Sequence, residues 1–283
     1  MNPADRQRPP PGELCLDHLG HFVPDLDAAA AVWEKLGFAV TPLSVHQVGG
    51  KPAGTSNRCV MLDEGYLELL APTADTPNAR RVRERMKRFV GVHLACFGTP
   101  TAEAEQQRLA AHGFEPDAVV RLERKIETGD TVRFAVVYVP PDKMPEGRVQ
   151  YCEHLTPREV WREGFVNPFA LRAVYVVADE PEEAAARWGR FGGLLPRPED
   201  GLVRLDTKRG RVVIGTRKRL AQLLGEAPPA PALAGYALGC ADPAAFARRC
   251  SKAGLRVQGK AVRLPAALGG TWLLESRANE EDL

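Results

Sequence analysis

A chain of 283 residues with 44% apolar and 26% charged side chains has the balance of a folded globular protein, long enough for two domains or for one architecture of repeated units. Its net charge of +2 supplies no overall field to hold nucleic acid or an anionic membrane, which leaves a small molecule as the expected partner. The segment MNPADRQRPPPGEL lacks the apolar run of a leader, and no window approaches the roughly 18 apolar residues of a membrane helix, so the expected location is cytoplasmic.

In chain order, residues 14–23 read as a strand and Pro24-Asp25-Leu26-Asp27 as a turn and helix start, because Asp favours the N-cap and first turn. Residues 28–36 supply a helical run containing Trp33, and Gly37 ends it. Strand-like stretches follow at 38–43, 58–62 and 66–70, giving the order β-α-β-β-β. Next comes a basic run of Arg80, Arg81, Arg83, Arg85, Lys87 and Arg88, interrupted by Glu84. It reads as a solvated helix or linker in preference to an anion-binding patch.

The same order recurs with a strand at 92–97, a helix at 101–111 stopped by Gly113, and strands at 119–123, 131–139 and 149–154. A third copy starts at Leu171, with Trp188 aligned on Trp33 and Gly192 on Gly37. A fourth begins near Tyr236, with Cys240 on Cys96 and Gly254 on Gly113. The break at Asn167-Pro168 and the Pro-rich stretch 225–231 mark unit boundaries. A lone unit cannot bury the concave face of its sheet, so units must pair, within one chain or by exchange between the chains of a homodimer. The predicted fold is α+β: four βαβββ modules paired into two cupped mixed sheets, over halves 1–165 and 166–283. The six cysteines never form a close CxxC pair and read as reduced, buried thiols.

Alternation along strands groups His18 with Gly20 and Phe22, Glu68 with Tyr66 and Leu70, His93 with Gly91 and Ala95, and Glu153 with Tyr151 and Leu155. Each of the first two modules thus carries a histidine in its first strand and a glutamate in its last. A lone strand histidine is an ordinary, partly buried residue. Matched pairs of imidazole and carboxylate in apolar strands are a stronger signal, because an unpaired buried carboxylate is costly. Two nitrogens and two carboxylates suit one divalent ion such as Zn²⁺, Fe²⁺, Mn²⁺, Co²⁺ or Ni²⁺.

The segments LDHLGHFVPDLDAAAAVWEKLGF, GTSNRCVMLDEGYLELLAP, GVHLACF and YCEHLTPREVW resemble the vicinal oxygen chelate superfamily, and more narrowly its glyoxalase-like branch. The resemblance covers the first half well and the second weakly. It implies paired βαβββ modules cupped around a divalent metal, with His18, Glu68, His93 and Glu153 as ligands. In the second half Ala173, Ala237 and Val213 stand at the corresponding places and only Glu275 keeps a carboxylate, which implies a degenerate bay without a metal.

The implied chemistry is chelation of vicinal substrate oxygens and stabilisation of an enolate, as in a lyase or isomerase of glyoxalase or epimerase type. Glu153 first and Glu68 second are the candidate general bases. Two alternatives stand beside it: an Fe²⁺ extradiol-type dioxygenase using His18, His93 and Glu153, and a non-catalytic small-molecule binding or resistance protein. Asn57, Arg58 and Arg133 are the candidate substrate contacts, the arginines as clamps for a carboxylate or phosphate.

Overall fold

A computed structural model describes residues 2–277. The first module comprises β1 (Cys15–Phe22), α1 (Leu26–Lys35), β2 (Ser44–Val48), β3 (Lys51–Glu64) and β4 (Tyr66–Pro72). After a connecting helix α2 (Pro77–Arg88) comes the second, with β5 (Gly91–Gly98), α3 (Ala102–Ala111), β6 (Val120–Lys125), β7 (Thr131–Tyr138) and β8 (Arg148–His154). A single turn, α4 (Pro157–Val160), leads to the third: β9 (Val166–Val177), α5 (Pro181–Gly192), β10 (Arg197–Glu199), β11 (Leu202–Asp206) and β12 (Arg211–Gly215). Helix α6 (Arg217–Leu224) then precedes the fourth, made of β13 (Ala232–Cys240), α7 (Pro243–Lys252), β14 (Arg256–Gln258), β15 (Ala261–Arg263) and β16 (Thr271–Ser276).

Within each half the pairing is the same. In the first, β1 runs parallel to β4 and antiparallel to β5, which runs parallel to β8. In the second, β9 pairs β12, β13 and β13 pairs β16 in the corresponding senses. The fold is α+β, and the two cupped sheets meet at a parallel contact between β3 and β9, where Met61 pairs Val166 and Leu62 pairs Asn167. Asn167-Pro168, expected to mark a break, therefore lies inside a strand. Its amide explains why: Asn167 Nδ2 donates to the carbonyls of Met61 and Ala39, and Oδ1 accepts from Ala39 N–H, which anchors the crossing.

Local chemistry accounts for the helix starts. Asp25 accepts from the N–H groups of Asp27 and Ala28, and Thr76 caps α2 through Ala79 N–H. Residues 38–43 form no strand. Phe38 and Val40 are buried there as an extended link, and the pairing with β3 begins only at Ser44. Aromatic side chains of the helices pack across the two halves. Trp33 of α1 meets Trp272 of β16 at 4.8 Å between ring centroids, and Trp188 of α5 meets Phe97 of β5 at 6.2 Å. The matched tryptophans of modules one and three thus each reach into the opposite half, and such rings dominate a core because each removes about 150–250 Å² from water. All six cysteines are buried and free.

The concave faces differ. In the second half Ala173, Val213 and Ala237 join Tyr175 and Leu273 in an apolar cluster completed by Leu220 and Leu224 of α6. Glu275 is held in an ion pair by Arg211. In the first half the concave face stays open. No helix among the described residues is long and apolar enough to cross a membrane.

Candidate functional site

The open face of the first half encloses a cavity of about 890 Å³. Strand alternation brings His18 and Phe22 of β1, Tyr66 and Glu68 of β4, Leu94 of β5, and Gln150 and Cys152 of β8 to its wall. Gly20, directly opposite Leu94, keeps the floor low: a Cβ there would stand 2.9 Å from Leu94 Cβ and 3.6 Å from Glu68 Oε2. A side chain at this position would crowd Leu94 and approach Glu68, which with His18 is one of the two sequence-predicted groups that face the cavity.

His18 is buried, its ring stacked on Tyr66 at 4.3 Å, and its Nδ1 lies 2.7 Å from Asp17 Oδ2. With Nδ1–H donating to that carboxylate, Nε2 is left with its lone pair for the cavity, the arrangement that orients a ligand or base imidazole. Asp17 has no exposed surface and also accepts from His154 Nε2, at 3.0 and 3.1 Å. Burial disfavours its charge, but His154 and His18 outweigh burial and hold the carboxyl well below the ordinary range. His154 is correspondingly raised to about 9, the Asp17 charge overcoming the effect of burial.

Glu68 is pinned at one oxygen. Asn57 Nδ2 donates to Oε1 at 2.6 Å, Asn57 Oδ1 in turn accepts from Arg124, and His46 Nε2 lies 3.5 Å from the same Oε1. Burial opposes ionisation here too. The histidines His46 and His18, the Asn57 amide and Arg124 more than offset it and keep the carboxyl below its usual value. Burial among these groups holds His46 itself down to about 4, so its ring is neutral at neutral pH.

The four expected metal ligands do not converge. His93 shares the parity of Ala95 and Phe97, which pack in the helix-side core, whereas Leu94 and Cys96 face the concave side; it also sits at a bulge, since Gly20 pairs Leu94 while His21 pairs Val92. Its Nε2–H donates to Phe89 O at 2.7 Å, its ring stacks on Phe89, and Leu94 takes the cavity-facing place. Glu153 lies on the helix side of β8, because Gln150 and Cys152 take the cavity side. There its Oε2 accepts from Ala102 N–H at 2.9 Å and satisfies the start of α3, where Thr101 makes no side-chain cap. Glu153 therefore faces the start of α3 and not the cavity.

Of the expected substrate contacts, Asn57 is in the site. Arg58 turns to the other face, donating to Thr41 O and pairing Glu34 and Asp27. Arg133 is half exposed beside Glu123, outside the cavity wall. The cavity instead receives His46, Arg124, Arg148 and Gln150. Their signal in the sequence was weak: His46 lies in a polar hairpin, and Gln150 could be found only by assigning the inward parity of β8.

Among the described residues, one group of three histidine, cysteine or acidic side chains is close enough to share an ion: Asp17, His18 and Cys96. Its donors are already engaged. Both Asp17 oxygens accept from histidines, and burial with the neighbouring Cys152 pushes the Cys96 thiol up, away from the thiolate a metal needs. The cavity wall carries further donors in His18 Nε2 and the Glu68 carboxylate, and Gln150 on the same wall has its Oε1 buried without a hydrogen-bond partner. An imidazole, a carboxylate and an amide oxygen suit a divalent ion.

Paired βαβββ modules forming a cupped sheet, with histidine and glutamate presented from the first and last strands of one module, define a glyoxalase-like protein of the vicinal oxygen chelate superfamily. The chain belongs to the glyoxalase-like domain family, whose model matches residues 16–192. Solved structures share the fold. A hypothetical protein from Staphylococcus aureus aligns over 93% of this chain and 99% of that one at 15% identity and a TM-score of 0.65. A mutant 4-hydroxymandelate synthase from Streptomyces coelicolor covers 94% of each chain at 13% identity and 0.61. The Mn(II)-bound glyoxalase from Novosphingobium aromaticivorans covers 96% of this chain and 84% of that one at 12% and 0.52. No curated protein matches the sequence.

Proposed function

We propose that residues 1–165 form the working half of a divalent-metal-dependent enzyme of the lyase or isomerase class, acting on a small substrate with neighbouring oxygens, and that residues 166–283 form a structural half whose bay is closed. The observation that carries this reading is the placement of His18 and Glu68 on one cavity wall, each held from behind by a dedicated partner, Asp17 and Asn57.

His18 Nε2, Glu68 and Gln150 Oε1 would hold the ion, which when bound supplies Lewis-acid stabilisation of negative charge on substrate oxygens. Asp17 keeps the His18 proton on Nδ1 and the ring in one orientation. Asn57 and His46 restrain Glu68 Oε1, leaving Oε2 to accept a proton from a carbon beside a substrate carbonyl. Phe22, Leu70, Leu94 and Val136 exclude water around these groups and strengthen their electrostatics.

Metal content of protein purified without chelator tests the reading first. About one ion per chain is expected, lowered by His18→Ala and Glu68→Ala. Well under one ion in the unaltered protein would overturn it. Solvent-deuterium incorporation into a 2-oxo or 2-hydroxy acid then reports proton abstraction, and Glu68→Gln should abolish it. An Fe²⁺ dioxygenase is the second reading, favoured by one observation: His46 supplies another imidazole within 3.5 Å of Glu68 in the same cavity. Oxygen uptake with simple catechols by iron-loaded protein would select it.

A further inference from the structure

Helices α2 and α6 hold equivalent places in chain order, each following the last strand of its half's first module, but α2 packs on β1, β3 and β4 whereas α6 packs on β9, β15 and β16. Helix α6 closes its bay with Leu220 and Leu224. Helix α2 contributes Val82 to an apolar cluster at the cavity, but it also lines the cavity with Arg81 and Arg85. These two are four residues apart and so share a helix face, a like-charged spacing that weakens an isolated helix. The other basic residues of the run are occupied. Arg80 and Arg83 pair with Asp75, Lys87 with Glu84, and Arg88 donates to Pro231 O.

Arg148, at the start of β8, lines the same cavity with its guanidinium 4.7 Å above the Tyr138 ring. Among the described residues neither Arg85 nor Arg148 has an acidic partner, and the Arg148 guanidinium is engaged only with the neutral Tyr138 side chain, although both arginines are partly buried. Partial burial and the nearby Arg148 and Arg88 charges make Arg85 a poorer cation than usual, which is the signature of an uncompensated cluster. The cavity carboxylates are otherwise engaged or exposed: Glu68 by Asn57, Glu123 by Arg133, and Asp117 at the surface.

We propose that Arg85 and Arg148 form an anion subsite, so that the cavity takes an organic acid: an apolar or aromatic body against Phe22, Val82, Leu94 and Phe134, and a carboxylate or phosphate held by the two guanidinium groups. This rests on the functional reading above for the claim that the ligand is a substrate, and on the cavity alone for the claim that it is an anion. Guanidinium forks suit either oxyanion, and charge-assisted bonds in a partly dry site are the strong ones.

Calorimetric titration with phenyl phosphate and phenylacetate, against neutral phenol and phenylacetamide, tests the subsite and separates the two anions. The expected result is saturable binding of at least one anion, weakened by added salt and weakened about tenfold or more by Arg85→Gln and by Arg148→Gln. The neutral compounds should bind alike to all three proteins. Because Arg148 is in a paired strand, Arg85→Gln on the outer helix decides the matter if Arg148→Gln fails to fold. Unchanged anion affinity in Arg85→Gln, or no preference for anions over neutral compounds, would overturn the proposal. Metal content of the same samples keeps the readings apart: metal-free protein that binds anions through Arg85 sinks only the metalloenzyme, and metal-loaded protein indifferent to Arg85 sinks only the subsite.

Discussion

Asp17 and His18 are adjacent in sequence, yet their side chains meet at 2.7 Å. In a regular strand neighbours point to opposite faces. Here Leu16 pairs Phe97 and His18 pairs Cys96, so Asp17 is skipped, and the bulge turns its carboxylate toward both His18 and His154. Substitution of Asp17 by Asn keeps the shape and removes the charge that both rings use. The expected cost is about 3–5 kcal/mol of stability, because His154 is left without its buried counter-charge. Metal affinity or turnover should fall roughly 10–100-fold as His18 loses its orientation. Urea unfolding and metal titration measure the two effects, and an unchanged midpoint would contradict the ion pair.

Stability should also depend on pH through the same pair. His154 is raised from 6.5 to about 9, so its contribution is complete below 6.5 and disappears as pH rises through 9. The amount at stake is about 3 kcal/mol. Burial lowers His21, His46 and His93 to about 4, so the unfolded chain binds protons that the folded one refuses as pH falls from 6.5 through 4, and stability drops again on the acid side. Unfolding midpoints should therefore peak near pH 6.5, and His154→Gln should flatten the alkaline limb alone.

Glu153 caps α3, so Glu153→Ala should lower stability by about 1 kcal/mol while bound metal stays at its original level. Thermal denaturation with metal analysis on one preparation distinguishes this from a ligand role, in which the ion would be lost with the side chain.

Leu94 occupies the cavity position that the expected second histidine would have needed, directly across from Gly20. Leu94→His should place an imidazole on the wall with His18 and tighten binding of Zn²⁺ or Ni²⁺ by about tenfold or more. Equilibrium dialysis checks it, and weaker binding would show that the donors do not converge there.

Much of the molecule is legible in one dimension. The pattern of strand, capped helix and three strands repeats because each module must bury one helix face and one sheet face, and that requirement is written in local periodicity at Trp33, Trp188, Asp25 and Gly113. At the corresponding places of the second half the sequence offers only Ala173, Val213 and Ala237, and these three join one apolar cluster. Parity failed at His93 and Glu153. Period-two alternation says which residues share a face but not which face is inward: His93 shares its parity with Ala95 and Phe97, and Glu153 with Tyr151, all of which pack on the helix side.

The amino-acid order by itself thus determined the module, its fourfold use and two of the cavity groups, His18 and Glu68, because these depend on contacts close in sequence or on composition. Only the tertiary structure decided that Asp17, His46, Gln150, Arg85 and Arg148 belong with them. Their roles arise from strand register and helix placement between segments tens of residues apart, and no local pattern encodes how two strands slide past one another or which face a helix covers.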